Sequence, residues 1–576
     1  VLFVEQERHG GLKMIKEIQS LIQQAVGEDK AINIEIPENP AHGHYATSVA
    51  LRLARREKKP PLEIAKELAL KIKEGDQKGF FEKVEAAPPG FINFWLSKKA
   101  LAGEFLKVVK IRAPYGKSTK GRGRKVIFEY SDPNIAKRMH VGHMRATIIG
   151  DALANIFEFL GYKAVRWNYL GDWGTQFGKI ITAYKLWGRR EEVRKIPIES
   201  LQKLYVLFHE KTKSDPALED RAREEFKKLE EGNAENRKLW QWFKTESLKE
   251  FNRIYRAFGV SFDTYIGESF YEAKMKPLVE RLLRSGIAKR SEGSVIIPLD
   301  EFNLPPALIQ KSDGASLYLT RDIANLEYRI SKYKAERIVY VVGNEQTLHF
   351  SQLFSIAQLL GIQGSGYIHV KFGLVLGSDS KKLATREGRT ILLEKVISKA
   401  IDLTRRIVEK KNRGFSAGQR EAIARAVGIA ALKYNDLSQN RLSDITFDWD
   451  KMLNLEGNSA PYLMYTYARL RSILRKAKKP RRFDADTLES RSDTDLILTL
   501  LRFPDALEKI TQDYFPHHLT DYLYKLAKQA NAFYQIEPVL KAEPKLRDAR
   551  LALVGAIADT LKTGLDLLGI RSLERM

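Results

Sequence analysis

The sequence predicts an α/β protein: a Rossmann-like core built on a parallel sheet, with an α+β domain before it and an all-α helical bundle after it. Two observations carry this prediction. Residues 125–171 read as strand, loop, long helix and strand, which is a βαβ unit. From residue 391 onward the pattern is helical throughout. We therefore expect three domains, at residues 1–119, 120–390 and 391–576.

The first domain alternates helical and strand-like periodicity, and it ends in a basic segment. Its elements are expected as a helix at 14–27, a strand at 31–38, a helix at 44–72 broken at Pro60–Pro61, and a strand within 84–97. Residues 105–128 contain eight basic side chains and no acid. This composition fits a solvated linker and equally fits a contact with an RNA backbone.

The central block begins with a near-continuous apolar strand, as buried parallel strands do. The expected elements are strands at 125–132, 163–171, 294–299, 337–343 and 367–377, a helix at 142–161, and a densely charged helical insertion at about 186–260.

Composition narrows the functional class. Lysine and arginine total 97 against 72 acids, so the net charge of +25 suggests a polyanionic partner. Cysteine is absent, which excludes disulfides, thiolate-bound zinc, iron–sulfur clusters and a thiol nucleophile. No apolar run reaches the roughly 18 residues of a membrane span. Residues 1–13 lack the pattern of a signal peptide, and we expect a cytoplasmic protein in which they are a non-native extension.

The chemistry is expected in the loop after the first strand, where His140, Gly142 and His143 open the long helix. The free N–H groups at a helix N-terminus favour phosphate, and glycine lets a nucleotide approach the backbone. By composition, a His-x-Gly-His pattern arises by chance in about one in a hundred sequences of this length. The alternative is that both histidines merely cap the helix.

Five segments resemble the arginyl-tRNA synthetases, a class I aminoacyl-tRNA synthetase family. They are residues 131–143, 168–178, 316–324, 460–472 and 548–576. The resemblance implies a class I core that binds ATP through His140, Gly142 and His143, with Mg²⁺ accompanying the ATP. It also implies no protein-bound zinc. His349 is a further candidate for ATP binding.

The same resemblance implies a pocket for arginine, whose guanidinium needs carboxylate partners. The matching residues are Glu129, Tyr318 and Asp322, the last two on one face of a helix. Asn134 and Gln346 would hold the α-amino group. Asp132 replaces a serine that is usual in the family, and it can pair with the α-ammonium or face water.

The mobile signature loop of class I enzymes corresponds to residues 377–388, but Ala384 replaces its second lysine. Lys381, Lys382 and Arg386 remain as catalytic candidates. The transition-state phosphate still needs a cation, and our hypothesis is that Lys137 supplies it. The loop after the second strand contributes Asp172, Trp173 and Gln176, either as ligand contacts or as a tight turn packed by the tryptophan.

Two regions are expected to read the tRNA. Eight basic residues lie between Arg469 and Arg482, just after a group of tyrosines, and this pattern also fits a solvated helix face. By resemblance this is the anticodon-binding bundle, and Phe91 and Asn93 of the first domain touch the tRNA elbow. The candidate tRNA-binding residues are Phe91, Asn93, Tyr465, Arg469, Arg471, Tyr534 and Met576.

The sequence thus predicts a monomeric ligase of protein biosynthesis that joins L-arginine to its tRNA. The reaction passes through an arginyl-adenylate and ends on the 2′-hydroxyl of the terminal adenosine. Two alternatives stay open: another nucleotidyltransferase with the same histidine motif, and a non-catalytic RNA-binding relative.

Overall fold

In the computed structural model, the chain divides into two units, which we name by their content. The sheet unit comprises Thr119–Leu453 and Leu568–Ile570, and the flanking unit comprises the remainder, up to Ser118 and from Asn454. The structure describes residues 10–27, 32–111, 113–314, 317–362, 366–376, 391–411, 414–477 and 482–576.

The sheet unit is built on four parallel strands in the order β10-β9-β4-β5. Val126, Ile127 and Phe128 of β4 are fully buried, because this central strand has a neighbour on each side. The predicted βαβ unit is therefore confirmed. The strands are β4 (Lys125–Glu129), β5 (Lys163–Trp167), β9 (Arg337–Tyr340) and β10 (Gly366–His369), with β4 and β5 joined by helix α5 (Val141–Phe159).

The charged insertion is helical, as predicted, and its helices α8 and α9 pack on α6 (Thr175–Trp187). They are α7 (Arg190–Lys195), α8 (Pro197–Thr212), α9 (Ala217–Glu230) and α10 (Ala234–Phe258). After α11 (Glu272–Arg284) comes an antiparallel sheet, of which the sequence pattern indicates only the middle strand. Its strands are β6 (Lys289–Ser291), β7 (Ser294–Ile297) and β8 (Ala307–Gln310), followed by α12 (Tyr318–Tyr333) and α13 (Thr347–Leu359).

Residues 391–453 belong to the sheet unit, whereas helical periodicity places the start of the last domain at residue 391. Buried ion pairs explain the difference: Arg145 of α5 pairs with Asp436 at 3.2 Å, and Asp151 lies 3.8 Å from Lys433. The elements here are β11 (Val375–Leu376), α14 (Leu393–Lys411), α15 (Ala417–Leu437), β12 (Ile445–Thr446) and α16 (Trp449–Met452).

The flanking unit contains a small antiparallel sheet in the order β1-β3-β2. The strand expected at 31–38 is reduced to one bridge, between Glu35 and Ala46. The elements are α1 (Gly10–Val26), β1 (Tyr45–Thr47), α2 (Val49–Glu57), α3 (Pro61–Gly75), β2 (Phe81–Ala87), β3 (Phe91–Leu96) and α4 (Lys98–Lys110).

The segment 105–128 is not a plain linker at its start. Phe105 and Val108 are buried in α4, and the hydroxyl of buried Tyr115 donates to the carbonyl of Leu501 at 2.9 Å. Leu501 is the last residue of one of the C-terminal helices of the same unit. They are α17 (Ala460–Lys476), α18 (Arg491–Leu501), α19 (Phe503–Asp513), α20 (His517–Ile536) and α21 (Pro544–Leu567).

Across the described residues, no helix is both long and apolar enough to cross a membrane.

Candidate active site

Helix α5 begins with a reciprocal cap made by the two histidines. The backbone N–H of Gly142 donates to Nδ1 of His140 at 3.1 Å, and the N–H of His140 donates to Nδ1 of His143 at 3.1 Å. Because each Nδ1 accepts, a neutral imidazole carries its proton on Nε2. Both rings, 3.9 Å apart between centroids, therefore present an N–H donor at a helix N-terminus.

Both rings are held neutral at physiological pH. Burial lowers the pKa of His143 to about 3, with a smaller contribution from His140. Burial, together with the nearby Lys137 ammonium, also lowers the pKa of His140. The pair thus combines a structural cap with two donors suited to phosphate oxygens, so the two interpretations of the motif are not exclusive.

The loop between β4 and α5 has an uncommon backbone that the insertion supports. Ser131, Asp132 and Ala136 have φ values of 80°, 45° and 60°, a region that costs energy for residues other than glycine. The hydroxyls of Ser131 and Tyr255 are hydrogen-bonded at 2.8 Å, and Ser247 accepts from the N–H of Ala136 at 2.8 Å. Both partners lie on α10, so one function of the insertion is to hold this loop.

The histidine pair borders two cavities. The smaller, of about 350 Å³, is also lined by Asp132, Gly142 and Gln346. The larger, of about 860 Å³, is also lined by Asn134, Lys137 and Tyr205 of α8, among others. Of the residues considered for the α-amino group of arginine, Asp132 and Gln346 thus line the smaller cavity and Asn134 lines the larger one.

Asn134 is positioned by a glycine. Asn134 and Gly171 form an isolated parallel bridge, and a Cβ on Gly171 would lie 2.0 Å from the Asn134 side-chain oxygen. Any larger residue at position 171 would displace the amide.

Glu129 has a partner within the protein, and its place as an arginine-binding acid stays a prediction. Its carboxylate accepts a hydrogen bond from the guanidinium of Arg329, a fully buried residue of α12. The guanidinium also lies over the ring of Trp167, 4.2 Å from its centroid. The protein's own arginine therefore occupies at least one oxygen of the acid that was expected to bind substrate arginine.

Asp322 and His349 form a second pair near this cluster. The Asp322 carboxylate is 2.7 Å from Nε2 of His349. Burial alone would lower the pKa of His349, but the hydrogen bond and charge of Asp322 outweigh it and raise the pKa. His349 thus contacts the expected arginine acid, and it does not line the small cavity with the histidine pair. Tyr318, expected beside Asp322, is 67% exposed at the start of α12.

A further acid, Glu268, joins this cluster although the sequence motifs do not predict it. It is buried and lies 3.5 Å from Arg321. Burial raises its pKa to about 7, and the neighbouring Asp322 adds to the effect. Glu268 follows an extended segment in which Thr264 forms a parallel bridge with Trp167 at the end of β5. An acid just after such a segment is the sequence signal that could have predicted Glu268 as a site residue.

Asp132 has no arginine or histidine among its recorded hydrogen-bond partners in the described part of the chain, unlike Glu129 and Asp322. Burial, followed by the charge of Glu129, raises the pKa of Asp132 well above its usual value. One oxygen accepts from the backbone N–H of Tyr169 at 2.7 Å. Asp132 also lines the small cavity together with the histidine pair.

The glycine-rich loop after β5 is structural at Asp172. This fully buried carboxylate accepts from Lys244 at 2.6 Å and from the N–H and hydroxyl of Ser269, each at 2.8 Å. Trp173 packs edge-to-face on Trp240, at 5.8 Å between ring centroids. The tight-turn interpretation therefore accounts for both residues.

Lys137 is half-buried between the histidines and the insertion. Its ammonium lies over the ring of Tyr205, 5.2 Å from the centroid, and burial lowers its pKa. It lines the larger cavity together with His140. The other cationic candidates, Lys381, Lys382 and Arg386, lie outside the described residues.

Three of the predicted tRNA-binding residues meet in the flanking unit. The Arg469 guanidinium lies 5.7 Å from the ring of Tyr465 and 5.3 Å from that of Tyr534. The two tyrosines are 43% and 39% exposed, so part of each side chain is accessible to a base.

The remaining tRNA candidates are less accessible. Arg471 is 3.3 Å from the Glu574 carboxylate, in the last residues of the chain near the partly buried Met576. Asn93 is only 5% exposed at the centre of β3, which does not suit contact with a base, whereas Phe91 at the start of β3 is partly exposed. Part of the basic cluster, residues 478–481, lies outside the described residues.

A parallel sheet whose first strand leads into a histidine-capped helix is the architecture of a class I aminoacyl-tRNA synthetase, and three family models match in order. One described as "tRNA synthetases class I (R), catalytic domain" covers residues 107–449. An "Arginyl tRNA synthetase N terminal domain" precedes it at 12–96, and a "DALR anticodon binding domain" follows at 463–576. The chain belongs to the arginyl-tRNA synthetases.

Curated relatives agree over nearly the full length. An arginine–tRNA ligase of Halothermothrix orenii is 42% identical over 547 residues, which is 94% of this chain and 95% of the relative. That of Ligilactobacillus salivarius is 43% identical over 570 residues, or 97% and 99%. The protein is thus an ATP-using ligase that charges tRNA with arginine, and neither alternative function is favoured.

Solved structures show the same fold. Arginyl-tRNA synthetase from Plasmodium falciparum has a TM-score of 0.83 at 27% identity, covering 97% of this chain and 99% of that one. The Thermus thermophilus enzyme has a TM-score of 0.83 at 25% identity, covering 97% and 100%.

Proposed function

We propose that the two cavities beside the histidine pair hold the two halves of the reaction. The observation that carries this is that His140 and His143 line both of them. In the smaller cavity the arginine carboxylate attacks the α-phosphate of ATP, and pyrophosphate leaves. In the larger cavity the 2′-hydroxyl of the terminal adenosine attacks the carbonyl of arginyl-adenylate, and AMP leaves.

The histidines stabilise the negative charge that develops on the α-phosphate. Their Nε2–H groups and the N-terminus of α5 are oriented donors, and a neutral ring needs no reorganisation to serve as one. Lys137 lines the larger cavity beside His140, and from that side it supplies the cation that the signature loop lacks at Ala384. The charge of the leaving pyrophosphate would be neutralised by Mg²⁺ bound together with ATP.

Arginine is held at both ends. Asp322 and Glu268 accept the guanidinium, with Tyr318 at the pocket entrance. Asp132 and Gln346 line the small cavity and hold the α-ammonium, with Asn134 on the adjoining side. The planar guanidinium of arginine donates in fixed directions to a pair of carboxylates. The ammonium of lysine is a compact point charge and does not match such a pair.

Glu129 and His349 support the pocket indirectly. Glu129 positions Arg329, and His349 orients Asp322. We infer positioning functions for both, because Glu129 holds a guanidinium of the protein and His349 holds the carboxylate that we assign to substrate arginine.

The tRNA is read at three places. Tyr205 offers a ring beside Lys137 for the terminal adenosine in the larger cavity. Tyr465, Arg469 and Tyr534 offer stacking faces and a cation to the anticodon. Phe91 remains the candidate for the elbow. We propose a division into an N-terminal module up to about residue 118, a catalytic part from 119 to 453 and an anticodon part from 454, working as a cytoplasmic monomer.

The two-cavity assignment predicts that substitutions in the smaller cavity impair arginine activation, whereas substitutions in the larger cavity impair transfer to tRNA. Gln346→Ala should raise the KM for arginine in ATP–pyrophosphate exchange by about tenfold, the effect of removing a hydrogen bond to a charged group. Tyr205→Ala should leave that KM within about twofold and slow single-turnover transfer to tRNA by about tenfold or more, since base stacking contributes roughly 1–3 kcal/mol. Both assays use saturating tRNA. Equal effects of both substitutions on both steps would refute the separation.

A further inference from the structure

Tyr169 carries a buried hydroxyl beside the acids that we assign to arginine. It follows the end of strand β5, at the carboxyl edge of the parallel sheet, where ligands bind in folds of this kind. In the described part of the chain, its hydroxyl oxygen is buried and has no hydrogen-bond partner. A buried hydroxyl in that state costs free energy, so its presence at a binding site requires an explanation.

The backbone around Tyr169 connects the two ends of the arginine site. Its N–H donates to Asp132, one of the groups assigned to the α-ammonium, at 2.7 Å. On the other side, the carbonyl of Leu170 accepts from the N–H of Glu268, an acid assigned to the guanidinium, at 3.1 Å. Main-chain hydrogen bonds thus fix Tyr169 between the two ends.

The ring of Tyr169 packs beside a second buried tyrosine. It is edge-to-face with the ring of Tyr271 at 6.2 Å between centroids, and 5.8 Å from the guanidinium carbon of Arg329. The hydroxyl of Tyr271 donates to Asn325 at 2.8 Å. The protein therefore satisfies one of two adjacent tyrosine hydroxyls, and among the residues that the structure describes it offers no partner to the other.

The negative charge around this hydroxyl comes from the acids of the guanidinium site. Burial raises the pKa of Tyr169 well above its usual value, and the charges of Asp322 and Glu268 raise the pKa further. The hydroxyl therefore keeps its proton at physiological pH. A protonated phenol can donate to a carboxylate and accept from a cationic N–H at the same time.

The two acids alone offer few free acceptor positions to a guanidinium, which has five N–H donors in one plane. One oxygen of Asp322 is already 2.7 Å from His349. Glu268 lies 3.5 Å from Arg321 and accepts from the backbone N–H of Trp173. A third acceptor beside these two carboxylates would complete the pairing.

We propose that the Tyr169 hydroxyl accepts a hydrogen bond from the guanidinium of substrate arginine, between Asp322 and Glu268. This rests on the proposed function for the place of the guanidinium. Binding supplies a charged donor to a hydroxyl that has no partner beforehand, so the gain in free energy arises only when arginine is present. Tyr169 thus contributes to arginine binding and takes no part in the transfer of phosphate.

The test removes the hydroxyl alone, in Tyr169→Phe. We expect the KM for arginine in ATP–pyrophosphate exchange at saturating tRNA to rise about tenfold or more, the effect of losing a hydrogen bond to a charged group. Loss of ground-state binding should leave kcat and the KM for ATP within about twofold of wild type. The melting temperature should stay the same or rise, because the free protein loses an unsatisfied group. An unchanged KM for arginine would overturn the proposal, whether or not stability changed.

The matched control is Tyr130→Phe. Tyr130 is a buried tyrosine of the same unit whose hydroxyl also has no partner within the described ranges, and its ring is 4.7 Å from that of Phe262. Its KM for arginine should stay within about twofold of wild type, since no substrate donor is placed beside it. An equal rise of the KM in both variants would attribute the effect to the loss of any buried hydroxyl and would also overturn the proposal.

A substrate analogue distinguishes the two ends of the site. 5-Guanidinopentanoic acid has the guanidinium and carboxylate of arginine but no α-amino group, so its inhibition constant against arginine reports on the guanidinium end. Tyr169→Phe should raise this constant about as much as it raises the KM, whereas Gln346→Ala should leave it within about twofold. An inhibition constant unchanged in Tyr169→Phe would place the effect at Asp132 and refute this proposal alone. An inhibition constant unchanged in Asp322→Asn would refute the guanidinium site itself, and this proposal with it.

Discussion

At the residue scale, arginine recognition depends on how four acids share a small volume. Glu129, Asp132, Glu268 and Asp322 influence one another, and burial raises the pKa of Asp132 and Glu268. One internal guanidinium, that of Arg329, compensates Glu129 alone by direct contact. Arg321 lies 3.5 Å from Glu268, and we propose that the guanidinium of the substrate brings a further positive charge to Glu268 and Asp322.

Glu268 makes arginine binding depend on pH. Its pKa of about 7 means that it is mostly protonated below that pH and ionised above it. Only the ionised form attracts a guanidinium, so the KM for arginine should fall as pH rises from about 6 to about 8. The fall should approach tenfold per pH unit below about 7 and level off above it. Exchange kinetics at saturating tRNA measure the KM.

Glu268→Gln should remove this pH dependence and raise the KM throughout. Glu272→Gln, which alters a less buried acid 3.9 Å from the same Arg321, is the control and should keep it. If the Glu268→Gln enzyme kept the wild-type pH profile, another group would be responsible.

The Arg329–Glu129 pair should behave as a unit in stability. Arg329→Met leaves a buried carboxylate without its cation, and Glu129→Gln leaves a buried guanidinium without its anion. Each change should destabilise the sheet unit by about 3–5 kcal/mol, and the double variant should be more stable than the sum of the two predicts. Thermal unfolding of all four proteins measures the coupling. Additive destabilisation would show that the pair makes no specific contribution.

The sequence alone could predict site residues that lie close together along the chain in a recognisable pattern. His140 and His143 lie three apart at a helix start, and their reciprocal cap is a consequence of that spacing. Arg329 and Glu129 are 200 residues apart, and no local pattern marks their contact. Asn93 was expected at the tRNA elbow by family resemblance, which does not indicate that the central strand β3 buries its side chain.

At the element scale, helices α5 and α12 organise the site. Helix α5 presents its N-terminus to the substrates, while α12 carries Tyr318, Asp322 and Arg329 at helical spacing on one face. The sequence pattern predicts α5, whereas a helix that carries Tyr318 and Asp322 was expected from the family resemblance. The pattern could not show that α10 holds the strained loop between β4 and α5, because that support depends on single hydroxyl contacts from Ser247 and Tyr255.

Lys137 lies in the loop that α10 supports, and it lines the larger cavity together with Tyr205 of α8. If it provides the missing cation, Lys137→Ala should slow arginine activation at saturating tRNA by at least about tenfold, or about 1.4 kcal/mol of barrier. Lys249→Ala, which removes an exposed lysine of α10, is the control and should be neutral. A rate within about threefold of wild type, roughly 0.65 kcal/mol, would eliminate the hypothesis.

At the scale of the whole molecule, the net charge of +25 is distributed unevenly. In the flanking unit, the exposed tyrosines lie beside Arg469. In the sheet unit, exposed basic residues of α10, α14 and α15 line a cavity beside the one that we assign to the tRNA end. Composition alone could indicate a polyanionic partner, but only the fold shows which of the described cations lie together on one surface.

The C-terminal end also shows why the domain boundary could not be predicted. After α21, Leu568–Ile570 returns to the sheet unit, where the Lys433 ammonium donates to the carbonyl of Gly569 at 2.7 Å. Lys433 lies in the α14–α15 region that helical periodicity assigned to the last domain. Periodicity identifies helices, whereas buried pairs such as Arg145–Asp436 determine which unit a helix joins.

The central claim is that this site selects arginine among the amino acids and transfers it to tRNA. The most direct measurement is aminoacylation of bulk tRNA by the purified protein, with each of the proteinogenic amino acids in turn. We predict charging with arginine alone, and absence of that charging in Asp322→Asn. Charging with lysine but not with arginine would contradict the claim.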